Sequence, residues 1–201
     1  MVKRILFASV LLASLPALAD QKIGVAAPAA AMQKFDIDNN HTQASFTYDH
    51  LGFSNPTSRL ETIKGSIELN QSDWNKSSVS VTMPLSGLHT GVEKLDVDLK
   101  SANFFDAEKN PDITFKSTKV EKTGANVLKV TGDLTAHGVT KSVMLDVKIN
   151  KIGENKMMHT QTAGFDADTT IKRSEWGVSG YVPAVSDEVH IHLTVSANLA
   201  K

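Results

Sequence analysis

The sequence predicts an all-β protein with one short helix, an eight-stranded antiparallel β-barrel that encloses an apolar pore. Three observations lead to this prediction. Short stretches alternate apolar and polar residues, which is typical of strands with one buried and one solvated face. The links between these stretches are too short for the crossover that parallel neighbours need. One segment breaks the alternation and has the spacing of a helix instead.

The alternation predicts about eight strands. Six of them show it plainly, at residues 44–49, 79–83, 128–134, 143–149, 165–171 and 189–195. Two more are predicted at 59–70 and 112–120. Closing such a sheet into a barrel removes the exposed edge strands that invite aggregation. A β-sandwich is the alternative that the same pattern allows.

Three short links are predicted as hairpin turns. They are residues 122–126 with Gly124, the pair His137-Gly138, and residues 150–155 with Gly153. In residues 91–102, Val92, Leu95 and Leu99 follow helical spacing and charged residues occupy the other face. We expect this amphipathic helix to lie over one end of the barrel.

The N-terminus has the three parts of a secretory signal peptide. Lys3 and Arg4 precede an apolar run from Ile5 to Leu15, and Ala17-Leu18-Ala19 is a small-residue cleavage site. The run is about 11–15 residues long, whereas a membrane span needs about 20. We therefore expect residues 1–19 to be a signal peptide cleaved after Ala19, residues 20–33 a flexible lead-in, and residues 34–201 the barrel domain.

Composition excludes several classes of function. The chain has no cysteine, so disulfides, thiol catalysis and cysteine metal sites are excluded. Its net charge is −1 and no basic patch stands out, so nucleic acid is not an expected partner. No later segment is apolar enough to cross a membrane as a helix, so no stable membrane insertion is expected.

Small residues on the predicted inner face indicate a lumen that is partly empty. They are Ala44, Gly65, Gly132, Ala136 and Ala167. Such a lumen would suit a slender hydrocarbon chain; the alternative is that the helix and the phenylalanine pair at 104 and 105 fill it. The ligand-binding residues predicted from alternation are Phe46, Tyr48, Phe53, Ile63, Met83, Leu95, Leu99, Phe104, Phe105, Phe115, Leu134, Phe165, Ile171 and Arg173.

Two polar residues share the inner face. Arg173 follows Thr169 and Ile171 in the alternation, and a charge in an apolar site needs a partner. The favoured partner is a carboxylate, from Glu61, Asp96 or Asp106; the alternative is a ligand head group. His50 shares the face of Phe46 and Tyr48 and is expected at the rim.

No motif indicates catalysis or a resident cofactor. His190 and His192 share one strand face, but it is the outer face and no third metal ligand can be placed. Phosphate-loop, dinucleotide and serine-hydrolase fingerprints are absent from the sequence. We therefore predict no catalytic residues, no metal and no enzyme activity.

Five stretches in order carry a family resemblance. They are 50–53 (HLGF), 99–106 (LKSANFFD), 110–115 (NPDITF), 132–140 (GDLTAHGVT) and 165–177 (FDADTTIKRSEWG). With them, the chain from about Phe35 to its C-terminus resembles the YceI-like family of periplasmic polyisoprenoid-binding proteins.

The resemblance implies a lipocalin-like barrel whose pore holds a long-chain isoprenoid lipid or an isoprenoid quinone as ligand. It also implies no cofactor and a periplasmic location, and it is compatible with a homodimer. The expected function is transport, storage or a stress-related role of that lipid. The alternatives are an enzyme or accessory factor of isoprenoid or quinone metabolism that uses Tyr48, His50 or Arg173, and an interaction module that acts through its outer surface.

Overall fold

Residues 31–201 are described by a computed structural model, and the predicted signal peptide and most of the lead-in lie outside this range. Eleven strands and one α-helix form the described part. The strands are β1 (Gln33–Ile37), β2 (Gln43–His50), β3 (Thr57–Leu60), β4 (Lys64–Leu69), β5 (Ser78–Pro84), β6 (Leu88–His89), β7 (Asp112–Lys122), β8 (Val127–Ala136), β9 (Val139–Asn155), β10 (Thr160–Lys172) and β11 (Val185–Leu199). The helix α1 spans Glu93–Lys100.

The sheet closes into an eight-stranded barrel. Strands β1, β4, β5, β7, β8, β9, β10 and β11 pair in this order, and β11 pairs again with β1. Strand β2 follows β1 along β11, so β1 and β2 together form one strand of the barrel. In the same way β3 and β4 form a second barrel strand, and β5 and β6 form a third. Every pairing is antiparallel. The predicted eight-stranded antiparallel barrel with one short helix is confirmed.

Three of the eight barrel strands are interrupted, between β1 and β2, between β3 and β4, and between β5 and β6. Side chains replace ladder hydrogen bonds at the first two breaks. The predicted strand at 59–70 is β3 and β4 with a break at residues 61–63. There the Ile63 N–H donates to the side-chain oxygen of Asn39 at 2.7 Å instead of to a neighbouring strand. The break between β1 and β2 is tied to β11 by Thr42, whose hydroxyl exchanges two hydrogen bonds with the Ser196 backbone at 3.0 Å each.

Of the predicted turns, the one at His137-Gly138 is confirmed and the one at residues 150–155 is wrong. His137 and Gly138 both have positive φ, 49° and 73°, as a tight two-residue hairpin requires. The link predicted at 150–155 is wrong, because β9 runs through to Asn155 and Gly153 pairs with Thr162 on β10. The chain turns only after Asn155, whose side-chain oxygen accepts from the N–H groups of Met157 and Met158.

Alternating strand directions place the connections at two ends of the barrel. The helix end carries α1 and the links β2–β3, β8–β9 and β10–β11. The opposite end, called the Trp74 end, carries the 3-10 turn Trp74–Lys76 between β4 and β5. Among the described residues, no helix has the length and hydropathy that a membrane span requires.

Candidate ligand-binding cavity

The barrel encloses a cavity of about 450 Å³. Pockets that hold small ligands have volumes of about 300–1,000 Å³, so this one is within the usual range. Its wall is built from the inward side chains of the strands and from one side of α1. These side chains are mainly Leu, Ile, Val and Phe, which makes the lumen suited to a hydrocarbon.

Thirteen of the fourteen side chains predicted to bind ligand lie on the cavity wall. They are Phe46, Tyr48, Ile63, Met83, Leu95, Leu99, Phe104, Phe105, Phe115, Leu134, Phe165, Ile171 and Arg173. Their contact with a ligand stays a prediction. Phe53 is not on the wall, because its side chain is 88% exposed. Leu51 and Gly52 both have positive φ and turn the chain back after β2, so the strand alternation ends at His50.

Short side chains line the lumen at three of the five positions where the sequence predicted them. Ala44, Ala136 and Ala167 line the cavity. Gly132 does not, because the Phe115 ring covers it: a Cβ built there would lie 2.5 Å from Phe115 Cζ. At Gly65 a Cβ would lie 2.1 Å from the Ser80 carbonyl oxygen, so this glycine serves a close approach of two strands.

Sequence reasoning missed several wall residues. Ile191 and Leu193 on β11 line the cavity. The apolar–polar alternation of residues 189–195 was sufficient to predict both as ligand-binding residues. Trp74 and Trp176 line it from 3-10 turns at the two ends, where no strand period applies. Tyr181, in the β10–β11 link, also lines the cavity and had no local signal.

The cavity opens at the helix end. Of the lining residues, five are exposed, and four of these lie at that end: His50, Asp98, Asn103 and Tyr181. The fifth is Ser78, the first residue of β5. At the other end the buried Trp74 forms part of the wall and Lys122 packs its ammonium over the Trp74 ring, 5.3 Å from the centroid.

The helix α1 forms part of the wall beside this opening, so its expected position is confirmed. Leu95 and Leu99 face the cavity. Val92 is exposed and precedes the helix, so the apolar stripe is shorter than predicted. The Asp96 carboxylate accepts from the N–H and the hydroxyl of Thr90, at 2.7 and 2.6 Å, and these bonds hold the pKa of Asp96 below its usual value.

Arg173 lines the cavity but does not form the predicted ion pair. Its Nε–H donates to the Ser186 carbonyl at 2.8 Å, and Nη1 and Nη2 donate to the carbonyls of Val178 and Val185 at 2.8 and 3.1 Å. No ion pair within residues 31–201 includes it. Backbone oxygens of the β10–β11 link and of the start of β11 therefore take the place that the prediction gave to a carboxylate.

The three predicted carboxylate partners are engaged elsewhere. Asp96 bonds Thr90, Asp106 bonds the Lys109 ammonium at 2.8 Å, and Glu61 lies 4.0 Å from His89. Burial lowers the pKa of Arg173, and the negative charge of a different carboxylate, Asp187, opposes that lowering without reversing it.

Tyr48 is the second polar group on this part of the wall. Burial raises the pKa of its hydroxyl, and the charge of Arg173 opposes that rise. The phenol is therefore protonated at neutral pH and can donate a hydrogen bond. Arg173 remains charged under the same conditions.

His190 and His192 are on the outer surface, as expected. The side-chain oxygen of Asp168 lies 2.8 Å from His192 Nδ1 and 3.4 Å from His190 Nε2, a carboxylate that the sequence did not place. Within residues 31–201, no group of three histidine or carboxylate side chains is arranged to hold a metal ion.

Comparison with known proteins agrees with this architecture. A family model described as the YceI-like domain matches residues 35–197. A UPF0312 protein of Serratia proteamaculans is 34% identical over 173 residues, 86% of this chain and 88% of that protein. A UPF0312 protein of Pseudomonas putida is 33% identical over 151 residues, 75% of this chain and 78% of that protein.

Three solved structures share the fold. A Campylobacter jejuni YCEI protein has a TM-score of 0.70 at 29% identity, covering 76% of this chain and 90% of that one. Burkholderia cenocepacia BcnA has a TM-score of 0.73 at 23% identity, covering 81% and 99%. A Saccharophagus degradans domain described as polyisoprenoid binding has a TM-score of 0.65 at 11% identity, covering 85% and 100%. The match over residues 35–197 and the identity to relatives of similar length show that this chain belongs to the YceI-like family.

Proposed function

We propose that this protein is a periplasmic binding protein that holds a long-chain isoprenoid lipid or an isoprenoid quinone in its barrel, for transport or storage. The observation that carries the proposal is the apolar cavity of about 450 Å³ with its opening at the helix end. Two predictions support the rest of it: the signal peptide at residues 1–19, and the family resemblance.

The physical basis is the transfer of hydrocarbon from water into the lumen. Each buried methylene contributes about 0.8 kcal/mol. Micromolar binding needs about 8 kcal/mol, so a tail of a few isoprene units is sufficient even after the cost of ordering the tail. A polar ligand would gain little, because most of the wall offers no hydrogen-bond partner.

The choice of an isoprenoid has separate support. The Saccharophagus degradans structure is described as a polyisoprenoid binding domain. At 11% identity its likeness establishes the shared fold, and its description supplies the ligand class that the proposal adopts.

A substitution that fills the lumen tests the proposal. Ala167 is buried on β10 and lines the cavity, so Ala167→Phe places a ring inside it. We expect this change to weaken the binding of geranylgeraniol or of an isoprenoid quinone to the mature chain by about 10-fold or more, since about 1.4 kcal/mol is a factor of ten. Titration with either lipid measures the effect.

The matched control is Thr170→Phe, which places the same ring on the exposed face of the same strand. We expect its affinity to equal that of the unmodified protein. Overpacking can cost about 1–3 kcal/mol of stability, so circular dichroism melts accompany both variants. Unchanged lipid affinity in a folded Ala167→Phe protein would contradict the proposal.

A further inference from the structure

We propose that the helix end of the barrel docks on the surface of a lipid bilayer, and that the ligand passes between bilayer and cavity through this contact. Three exposed apolar side chains beside the opening make the contact: Leu51, Phe53 and Tyr181, together called the apolar rim. This inference rests on the proposed function, because a long-chain isoprenoid dissolves in a bilayer and not in water. It names the partner that supplies or receives the ligand.

The side chains of the apolar rim face water to an unusual degree. Phe53 is 88% exposed, Tyr181 75% and Leu51 48%. Apolar residues exposed singly are ordinary on protein surfaces, whereas a group of them marks an interaction site. Within residues 31–201, Phe53 and Tyr181 are the only exposed aromatic residues. Exposed aromatic surface in this part of the chain is therefore confined to the helix end.

Backbone pairing brings the parts of the apolar rim together. Leu51 and Phe53 lie in the β2–β3 link, and Tyr181 lies in the β10–β11 link. His50 pairs with Val185 across β2 and β11. The Phe53 N–H donates to the His50 carbonyl at 3.0 Å, and the Val185 N–H donates to the Tyr181 carbonyl at 2.8 Å. The rim is therefore built from two adjacent links.

Tyr181 connects the apolar rim to the cavity. It lines the cavity although most of its side chain is exposed. Its ring also lies beside the ring of Phe104, another wall residue, with the two centroids 6.1 Å apart. The apolar surface of the lumen therefore continues past the opening, as the passage of a hydrocarbon chain from a bilayer requires.

The backbone holds two rim residues in a conformation that bulky side chains rarely adopt. Leu51 and Tyr181 have φ values of 61° and 62°, in the left-handed region. Glycine or asparagine would adopt this conformation at lower cost. Unfavourable backbone conformations cluster at functional sites, so the turns themselves do not explain a leucine and a tyrosine here. Contact of these side chains with a bilayer does explain them.

The charges of α1 indicate what drives the contact. The helix carries three acidic and two basic side chains, Glu93, Asp96, Asp98, Lys94 and Lys100. It therefore offers no net attraction to anionic lipid head groups. Aromatic side chains are enriched at the membrane–water interface, where an apolar ring enters the bilayer surface. The proposal therefore commits to a contact made by apolar side chains, with little dependence on salt.

The first experiment measures transfer of an isoprenoid quinone from phosphatidylcholine vesicles to the mature chain. Docking makes the rate rise with protein concentration, whereas transfer through water is limited by escape of the quinone from the vesicle. Phe53 is not on the cavity wall, so Phe53→Ser changes the rim and not the ligand site. We expect it to slow transfer by about 10-fold, which corresponds to about 1.4 kcal/mol. Its affinity for the quinone in detergent solution should be unchanged.

Met157→Ser is the matched control, because Met157 is 93% exposed and lies in the β9–β10 link at the Trp74 end. We expect its transfer rate to equal that of the unmodified protein. Leu51→Asn is a second rim variant, since asparagine tolerates the left-handed conformation and keeps the turn. It should also slow transfer. Equal rates for the two rim variants and Met157→Ser would overturn the proposal.

The second experiment measures docking without any quinone. Phe53→Trp and Met157→Trp each place an exposed indole at one end of the barrel, whereas Trp74 and Trp176 are buried. We expect vesicles of brominated phosphatidylcholine to quench the added fluorescence of Phe53→Trp at low and at high salt, and not that of Met157→Trp. Equal quenching of the two variants, quenching of neither, or loss of quenching at high salt would overturn the proposal.

The outcomes separate this inference from the proposed function. If the quinone binds in detergent solution but Phe53→Ser takes it from vesicles as fast as the unmodified protein, ligand binding stands and the docking is wrong. If brominated vesicles quench Phe53→Trp but no quinone binds, the bilayer contact stands and the proposed function fails. A dimer that Phe53→Ser dissociates, with no quenching by vesicles, would assign the rim to a second copy of the chain and overturn the proposal.

Discussion

Gly132 shows how one missing side chain shapes this lumen. The Phe115 ring lies across the glycine, so the ring occupies space that a larger residue would otherwise fill. The pairing register places Phe115 opposite Leu134 and Gly132 opposite Ser117 on the two neighbouring strands. The ring leans from its own position toward the glycine, which keeps it against the wall and out of the centre of the cavity.

This packing predicts that Gly132→Ala destabilises the barrel. The added Cβ would lie 2.5 Å from Phe115 Cζ and 2.6 Å from the Lys116 carbonyl oxygen. Overpacking of this kind costs about 1–3 kcal/mol. The free energy of unfolding from urea titration measures the effect. In the control Gly124→Ala, the nearest atom, Val127 Cβ, would lie at 3.4 Å, so little change is expected. Equal stability of the two variants would contradict this account of Gly132.

The sequence predicted the position of most individual wall residues, because strand alternation sorts side chains onto two faces. It failed where the chain leaves a strand. Phe53 follows two residues with positive φ, and the partners of Arg173 are carbonyls of Val178 in the β10–β11 link and of Val185 and Ser186 at the start of β11. In both cases the outcome depends on how a turn folds back, which residue type alone does not specify.

At the scale of elements, α1 is held at the opening by a small number of contacts. Leu95 and Leu99 pack toward the lumen, and Asp96 fixes the start of the helix through Thr90. The exposed side carries Val97, which is 64% exposed. A short helix with one apolar edge depends on that edge for its position.

We predict that Leu99→Ala loosens α1 and speeds ligand release. Leu99 is 7% exposed, and truncation of such a residue costs roughly 2–5 kcal/mol. If about 2 kcal/mol of this cost falls on the docked position of α1, ligand dissociation rises about 30-fold. Stopped-flow release of a bound lipid probe measures the rate. Val97→Ala is the control, and an equal effect of the two changes would show that α1 does not restrict release.

Helical spacing predicted the existence and the place of α1, but not the strand interruptions. The breaks at residues 38–42 and 61–63 depend on Thr42 and Asn39, whose side chains replace ladder hydrogen bonds with partners distant in sequence. Threonine and asparagine occur in many strands and loops without this role. Only the closed barrel brings Asn39 beside Ile63 and Thr42 beside Ser196.

At the scale of the whole molecule, closure creates the cavity. Antiparallel neighbours from β1 to β11 leave no free edge around the ring of eight, and an eight-stranded barrel is just wide enough to hold one small ligand. Because residues 44, 136 and 167 on the cavity wall are alanines, side chains alone do not fill the interior. The fold class and the one-sided apolar pattern could be predicted from sequence, whereas the identity of the ligand depends on chemistry that no local pattern encodes.

Solvent extraction of the protein purified from its native host tests the central claim most directly. Mass spectrometry of the extract is expected to show about one isoprenoid lipid or isoprenoid quinone per barrel, since one cavity of this size holds one chain. Absence of any stoichiometric lipid, together with no uptake of added isoprenoid quinone by the folded protein, would contradict it.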